Sequence, residues 1–229
     1  MVLYDGFINR LSELVEDKKE LPRSTKELQN GSKNDIIFGR DTAFELGGSQ
    51  KPCVSTLAVS SDMHFSNKAY LVGRDLPQIT GDSPFGKIVL VEIDEQTDDD
   101  TAFNTVKELE QVKYKFYVRD FMTRASALNM REQIRVGKNA VKSGASFADY
   151  GQKLIDTFLQ NEKVKSVEVV FLTDFDGYKE LNSVAEKIKE TTSALNHILD
   201  NVMFDCSTCN LKPICDEVEG MKELHQKHK

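Results

Sequence analysis

Apolar residues at Leu3, Phe7, Ile8, Leu11, Leu14 and Val15 recur at helical spacing, so the chain opens on an amphipathic helix. Pro22 and the polar run at residues 29–34 end that helix in a loop. From Ile36 the pattern changes to short β runs at residues 36–38, 42–46, 53–59 and 69–72. Turn signals separate them at Gly47-Gly48, residues 60–62 and Gly73. A turn-rich stretch at 80–84 then leads into residues 87–93. That near-continuous apolar run predicts a central strand buried on both faces. The acids at 98–100 stand ahead of a helical stripe formed by Phe103, Val106, Leu109, Val112 and Phe116, where they complement the helix dipole and supply a cap. A second helical piece is expected over residues 118–130, and a short strand or extended link at Ile134 and Val136. Residues 147–160 predict a helix whose apolar face carries Tyr150, Leu154, Ile155, Phe158 and Leu159. Residues 167–172 predict a second buried strand, and a long helix runs from the turn at 173–177 to about residue 201. This order is not a regular βαβ alternation. It predicts an α+β fold with a mixed β-sheet packed by helices, an N-terminal helix and a C-terminal Cys-containing segment.

The chain of 229 residues is 39% hydrophobic, enough for one large or two small cores. It divides into an N-terminal helix and loop (1–34), an α+β domain (35–201) and a Cys segment with its tail (202–229). A net charge of -7 argues against a nucleic-acid partner, because neutralising phosphates requires a basic surface. No apolar run approaches the roughly 20 residues of a membrane span. The N-terminus has neither a basic leader nor a cleavage site, so a cytoplasmic location is expected.

In a reducing compartment, clustered cysteines point to metal or redox chemistry rather than disulfides. Cys206, Cys209 and Cys215 stand in a Cys-x2-Cys-x5-Cys spacing. Two intervening residues let the first pair reach one metal or one cluster edge, and soft thiolates select iron–sulfur clusters or zinc. A fourth ligand is open among Cys53, His225, Asp205, Asp216 and another chain. The bland alternative is a terminal turn in which the cysteines merely pack. Cys53 alone, in an apolar strand, reads as core. His64 has no visible acid or nucleophile partner and His225 and His228 read as solvated, so none receives a catalytic role. One positive stretch runs through Lys113, Lys115, Arg119, Arg124, Arg131, Arg135, Lys138 and Lys142. There is no Gly-rich phosphate loop, Ser-His-Asp set or His-x3-His pair.

Six collinear segments carry more than a fold class. They are Phe44-Glu-Leu-Gly-Gly48, Val72-Gly-Arg-Asp-Leu-Pro-Gln-Ile79, residues 87–93, residues 134–144, Phe147-Ala-Asp-Tyr-Gly151 and residues 167–174. In order and spacing they resemble acetyl-CoA synthase, the β subunit of the carbon monoxide dehydrogenase/acetyl-CoA synthase complex, from its middle domain to the start of its A-cluster domain. The resemblance implies one-carbon metabolism in anaerobes. Cys206 and Cys209 match the opening pair that holds the iron–sulfur cube (4Fe-4S) of the A-cluster. Cys215 stands as a third ligand at a shorter spacing than the family's. The family's Cys-Gly-Cys nickel site has no counterpart, and the chain has no Trp where the family has one. The expectation is a shortened acetyl-CoA-synthase-like protein that binds a cluster and docks a corrinoid iron–sulfur protein or another subunit of the complex. It does not carry the nickel site of a CO-methylating synthase. By the same resemblance, Arg124, Arg131 and Arg135 meet a phosphate-bearing ligand or an acidic partner, for which the planar guanidinium fork is suited. The alternative is a non-enzymatic docking or assembly module with zinc or no metal at the cysteines.

Overall fold

A computed structural model describes residues 2–24, 26–32, 42–48, 50–94, 99–126 and 130–199. Helix α1 (Asp5–Leu14) is followed by the short strand β1 (Lys19–Glu20), then β2 (Ala43–Leu46), β3 (Cys53–Ser60) and β4 (Lys68–Val72). A 3-10 turn at Leu76–Gln78 leads to β5 (Phe85–Ile93), α2 (Asp99–Glu110) and α3 (Val112–Lys115). A hairpin of β6 (Phe121–Ser126) and β7 (Arg131–Gly137) precedes α4 (Lys138–Lys142), α5 (Phe147–Phe158), β8 (Val164–Leu172) and α6 (Tyr178–Leu199).

The strands form two sheets. One is five-stranded in the order β1-β4-β8-β5-β3, and the other is three-stranded in the order β2-β7-β6. In the larger sheet β3 pairs parallel to β5 and β4 parallel to β8, while β5 and β8 run antiparallel at its centre. The sheet is therefore mixed, and the fold is α+β as the element order predicts. Three expectations change. The opening helix ends at Leu14, ahead of Pro22, because Lys19 and Glu20 pair as a strand with β4. Residues 121–126 form a strand rather than helix, because Phe121 and Thr123 turn inward to Tyr150 while β7 supplies the ladder. The stripe from Phe103 to Phe116 is two helices, broken at Gln111. The expected strand at 36–38 lies outside the described residues.

The register sorts side chains onto the two faces of the large sheet. One face carries Phe85, Val89, Phe171, Val169 and Ala69 toward α5 and the small sheet. There Phe171 stacks on Phe147 at 4.8 Å between ring centroids, and Phe147 and Phe171 each stack on Phe85. Tyr150 continues the column to Phe121, with centroids 4.8 Å apart, and to Phe116 at 5.3 Å. The other face carries Ile88, Leu90 and Val170, with α1 and α6 packed on that side. α1 and α6 run antiparallel: Tyr4 shares a 2.9 Å hydrogen bond with Thr192, and Arg10 pairs with Glu180. Among the described residues, no helix is long and apolar enough to cross a membrane.

Helix α5 comes close to the sheet because residue 151 is glycine. A Cβ there would lie 2.6 Å from the Cβ of Ala69 and 3.0 Å from the Phe171 ring. Capping by Ser146 and Asp149, each accepting from the other's backbone N–H, fixes where this helix starts. Gly151→Ala is expected to lower unfolding free energy by about 1–3 kcal/mol through overpacking, measured by urea denaturation. A stability equal to the parent's would mean that α5 is free to lift from the sheet.

Candidate functional site

The segments that resemble one family converge at two places. The first is the junction where β4 and β8 end. Gly73 adopts φ +104, and a Cβ there would run into the backbone of Asp174 and the side chain of Thr173. The close approach lets Thr173 Oγ1 accept from the Arg74 backbone N–H at 2.8 Å and donate to the Arg74 carbonyl at 2.9 Å. The Arg74 guanidinium then forks onto Asp174, at 2.6 Å from Nε and 3.0 Å from Nη2. Asp75 accepts from the backbone N–H groups of Leu76 and Phe147, both at 2.7 Å, which ties the 3-10 turn to the start of α5. The Val72–Ile79, Phe147–Gly151 and 167–174 segments thus meet at one corner.

The second place is the small sheet. Register puts Arg124, Arg131 and Arg135 on one face of it. Arg124 stands opposite Gln133, and Arg135 opposite Glu45. The opposite face, with Thr123, Ile134 and Val136, packs inward. The structure therefore brings the three predicted arginines together, but in different states. Arg135 forks onto Glu45, with Oε2 at 3.2 Å from Nε and 3.0 Å from Nη2. Arg131 donates to the Gly47 carbonyl at 2.9 Å, and its Nε is buried without a hydrogen-bond partner. Arg124 is exposed. Two of the three guanidinium groups hold the Phe44–Gly48 segment in place, and Arg124 is the one that faces solvent.

Sequence reasoning missed a third cluster, at the seam between the two sheets. Lys87 of β5 and Glu132 of β7 form an ion pair with side chains 5% and 2% exposed. Ser55 Oγ donates to the second oxygen of Glu132 at 3.0 Å, and the Ser55 backbone N–H reaches the Met130 carbonyl at 2.7 Å. The signal was present as a lysine opening a run that is apolar except for Glu92, but nothing in one sequence names its partner. The seam is lined by a cavity of about 40 Å3, into which Glu110 and Lys113 also project.

Cys206, Cys209 and Cys215 lie outside the described residues, as do His225, Asp205 and Asp216. Their donor chemistry, three thiols within ten residues, fits a thiolate-held cluster. Among the described residues, no group of three His, Cys, Asp or Glu side chains is placed to hold a metal ion. Cys53, weighed as a fourth ligand, starts β3. Its thiol is buried against the α-carbon of Gly47, and burial pushes its pKa up, opposite to what a ligating thiolate needs.

Fold and site together define a mixed-sheet α+β protein with an arginine-bearing small sheet and a cysteine triplet beyond its last described helix. The family described as CO dehydrogenase/acetyl-CoA synthase complex beta subunit matches residues 31–177, more than half of the chain. The chain belongs to that family. No curated protein matches it.

Two outcomes test this geometry. Removing one partner of the buried pair, as in Glu132→Leu, is expected to cost about 3–5 kcal/mol, because it strands a buried ammonium. The double variant Lys87→Met/Glu132→Leu is expected to recover most of that loss, as a double-mutant cycle on urea unfolding would measure. The corner can be followed by pH. The hydrogen bond from Arg74 and then its charge hold the Asp174 carboxyl below its ordinary 3.8, against a partial desolvation that raises it. A lowered folded value adds stability above the unfolded pKa and loses it as pH falls through the folded value. Arg74→Gln is therefore expected to melt below the parent at neutral pH, with the two converging only as the pH falls from the ordinary carboxylate value through the lowered folded one.

Proposed function

We propose that this chain is an acetyl-CoA-synthase-like protein of one-carbon metabolism. In this reading it carries an iron–sulfur cluster on Cys206, Cys209 and Cys215. It docks a corrinoid iron–sulfur protein or another subunit of a carbon monoxide dehydrogenase-type complex. The observation that carries the reading is the family match over residues 31–177, followed by α6 and then a thiol triplet whose first pair has cluster-ligand spacing. A cluster, when bound, supplies electron storage or transfer. The chain's own part is to hold it through thiolates, which are deprotonated on binding.

The docking half rests on the small sheet. Arg124, Arg131 and Arg135 share a face, Arg124 is exposed, and the loop beneath is held by the other two. A rigid guanidinium-bearing surface suits an acidic partner or a phosphate group, because its donors are preorganised. Residues 35–201 serve in this reading as the platform and 202–229 as the cluster-bearing segment. The second reading keeps the platform and replaces the cluster with zinc or no metal.

Protein purified without oxygen is expected to be brown, with iron and sulfide near stoichiometric and the visible absorption lost in Cys206→Ala. Colourless protein without iron rejects the cluster and leaves the docking reading. Arg124→Glu is expected to weaken recovery of a corrinoid protein in an anaerobic pull-down while leaving iron content unchanged.

A further inference from the structure

The seam cavity continues into an open cleft of about 240 Å3 at the β3 edge, between the α2–α3 break and α6. The two spaces share Ser55, Thr56, Leu57, Glu110 and Lys113 as lining. Three lysines, Lys107, Lys113 and Lys189, border the cleft against one carboxylate, that of Glu110, on a chain whose net charge is -7. Half-buried Leu57 and Met130 and the buried Ala185 and Ile188 supply its apolar lining. A concave space with an apolar wall and a few convergent charges is the usual form of a small-molecule site.

The floor is built rather than incidental. Lys87, Glu132 and Ser55 lock β3, β5 and β7 together directly behind it. The entrance is the ion pair of Lys113 with Glu110, at 2.6 Å across the helix break, with both side chains about three-quarters buried. Burial lowers the Lys113 ammonium's pKa, but the charge and hydrogen bond of Glu110 more than offset this and leave it raised. Lys113 is therefore a cation whose partner, the Glu110 carboxylate, can be replaced by another anion at similar geometry.

We propose that this cleft binds a small organic anion, with a carboxylate or similar head on a short apolar body. Lys113 takes the head in exchange for Glu110, and the half-buried Leu57 and Met130 receive the body. Lys107 and Lys189 add long-range attraction whatever else they meet. The site lies at the β3 edge, and its existence does not depend on a cluster at the cysteines.

The test uses the full chain and hexanoate as probe, followed by NMR amide shifts, with hexylammonium as the charge-reversed control. Hexanoate is expected to give saturable shifts confined to residues 55–57, 110–114 and 185–193, and hexylammonium none. Lys113→Met is expected to weaken binding about tenfold or more, the loss of one charge-assisted hydrogen bond. Glu110→Gln is expected to tighten it several-fold, because the competing carboxylate is gone. Circular dichroism and thermal melts of both variants separate lost binding from lost fold. Absence of saturable shifts overturns the proposal. So does binding of hexylammonium as strong as that of hexanoate, or a folded Lys113→Met that binds hexanoate as the parent does.

Discussion

The structure depends on one constraint: the buried and half-buried charges on the two central strands must each find a partner. β5 and β8 lie in the middle of the large sheet and are covered on both faces, yet they carry Lys87, Glu92 and Glu168. An unpaired charge at such depth costs several kcal/mol. Each is met by a group from elsewhere. Glu132 of the small sheet meets Lys87. Glu92 accepts from Ser166 on the neighbouring strand and pairs with His64 of the 61–67 loop at 2.7 Å. Lys18 and Ser66 meet Glu168, and the Lys18 ammonium also sits over the Tyr70 ring at 4.7 Å from its centroid. The demand for partners thus fixes where the hairpin, the loop and the N-terminal segment attach.

That arrangement explains why the family-like segments are spread along the chain and still act together. The apolar column through Phe85, Phe171, Phe147 and Tyr150 sets the distance between layers. Gly73, Thr173, Arg74 and Asp75 lock the strand ends to the start of α5. With the layers held at both places, β7 presents Glu132 inward to Lys87 and Arg131 and Arg135 outward. A strand alternates its side chains, so one segment can be at once a structural clamp and part of an exposed surface.

Much of this was legible in the residue pattern. The strands at 87–93 and 167–172 and helices α1, α5 and α6 follow from periodicity, because burial on one face or two leaves a direct trace in residue type. The glycine at position 73 reads as a turn, and its left-handed backbone bears that out. The hairpin of β6 and β7 was not legible as a whole. Phe121-Met-Thr-Arg-Ala-Ser126 has no decisive local preference, and its state is set by the ladder with β7 and by Tyr150 on α5. The arginines could be nominated from charge alone, but charge does not say which of them already has a partner. Glu45 occupies Arg135, and the Gly47 carbonyl accepts from Arg131.

By itself, then, the sequence determined the α+β class, the central strands, the main helices, the cysteine spacing and the lineage. All of these are written in local periodicity or in the order of short segments. The tertiary structure alone decided that Lys87 meets Glu132, that the three arginines share a face and that Lys113 and Glu110 stand at the mouth of a cleft. Lys87 and Glu132 are 45 positions apart, and for the arginines and the Lys113–Glu110 pair the sequence names the charges but not the faces and cavities they border. They are settled by which groups are buried together, a quantity that does not exist until the chain has folded. The stretch that first suggested chemistry, Cys206 to Cys215, declares its donors in the sequence.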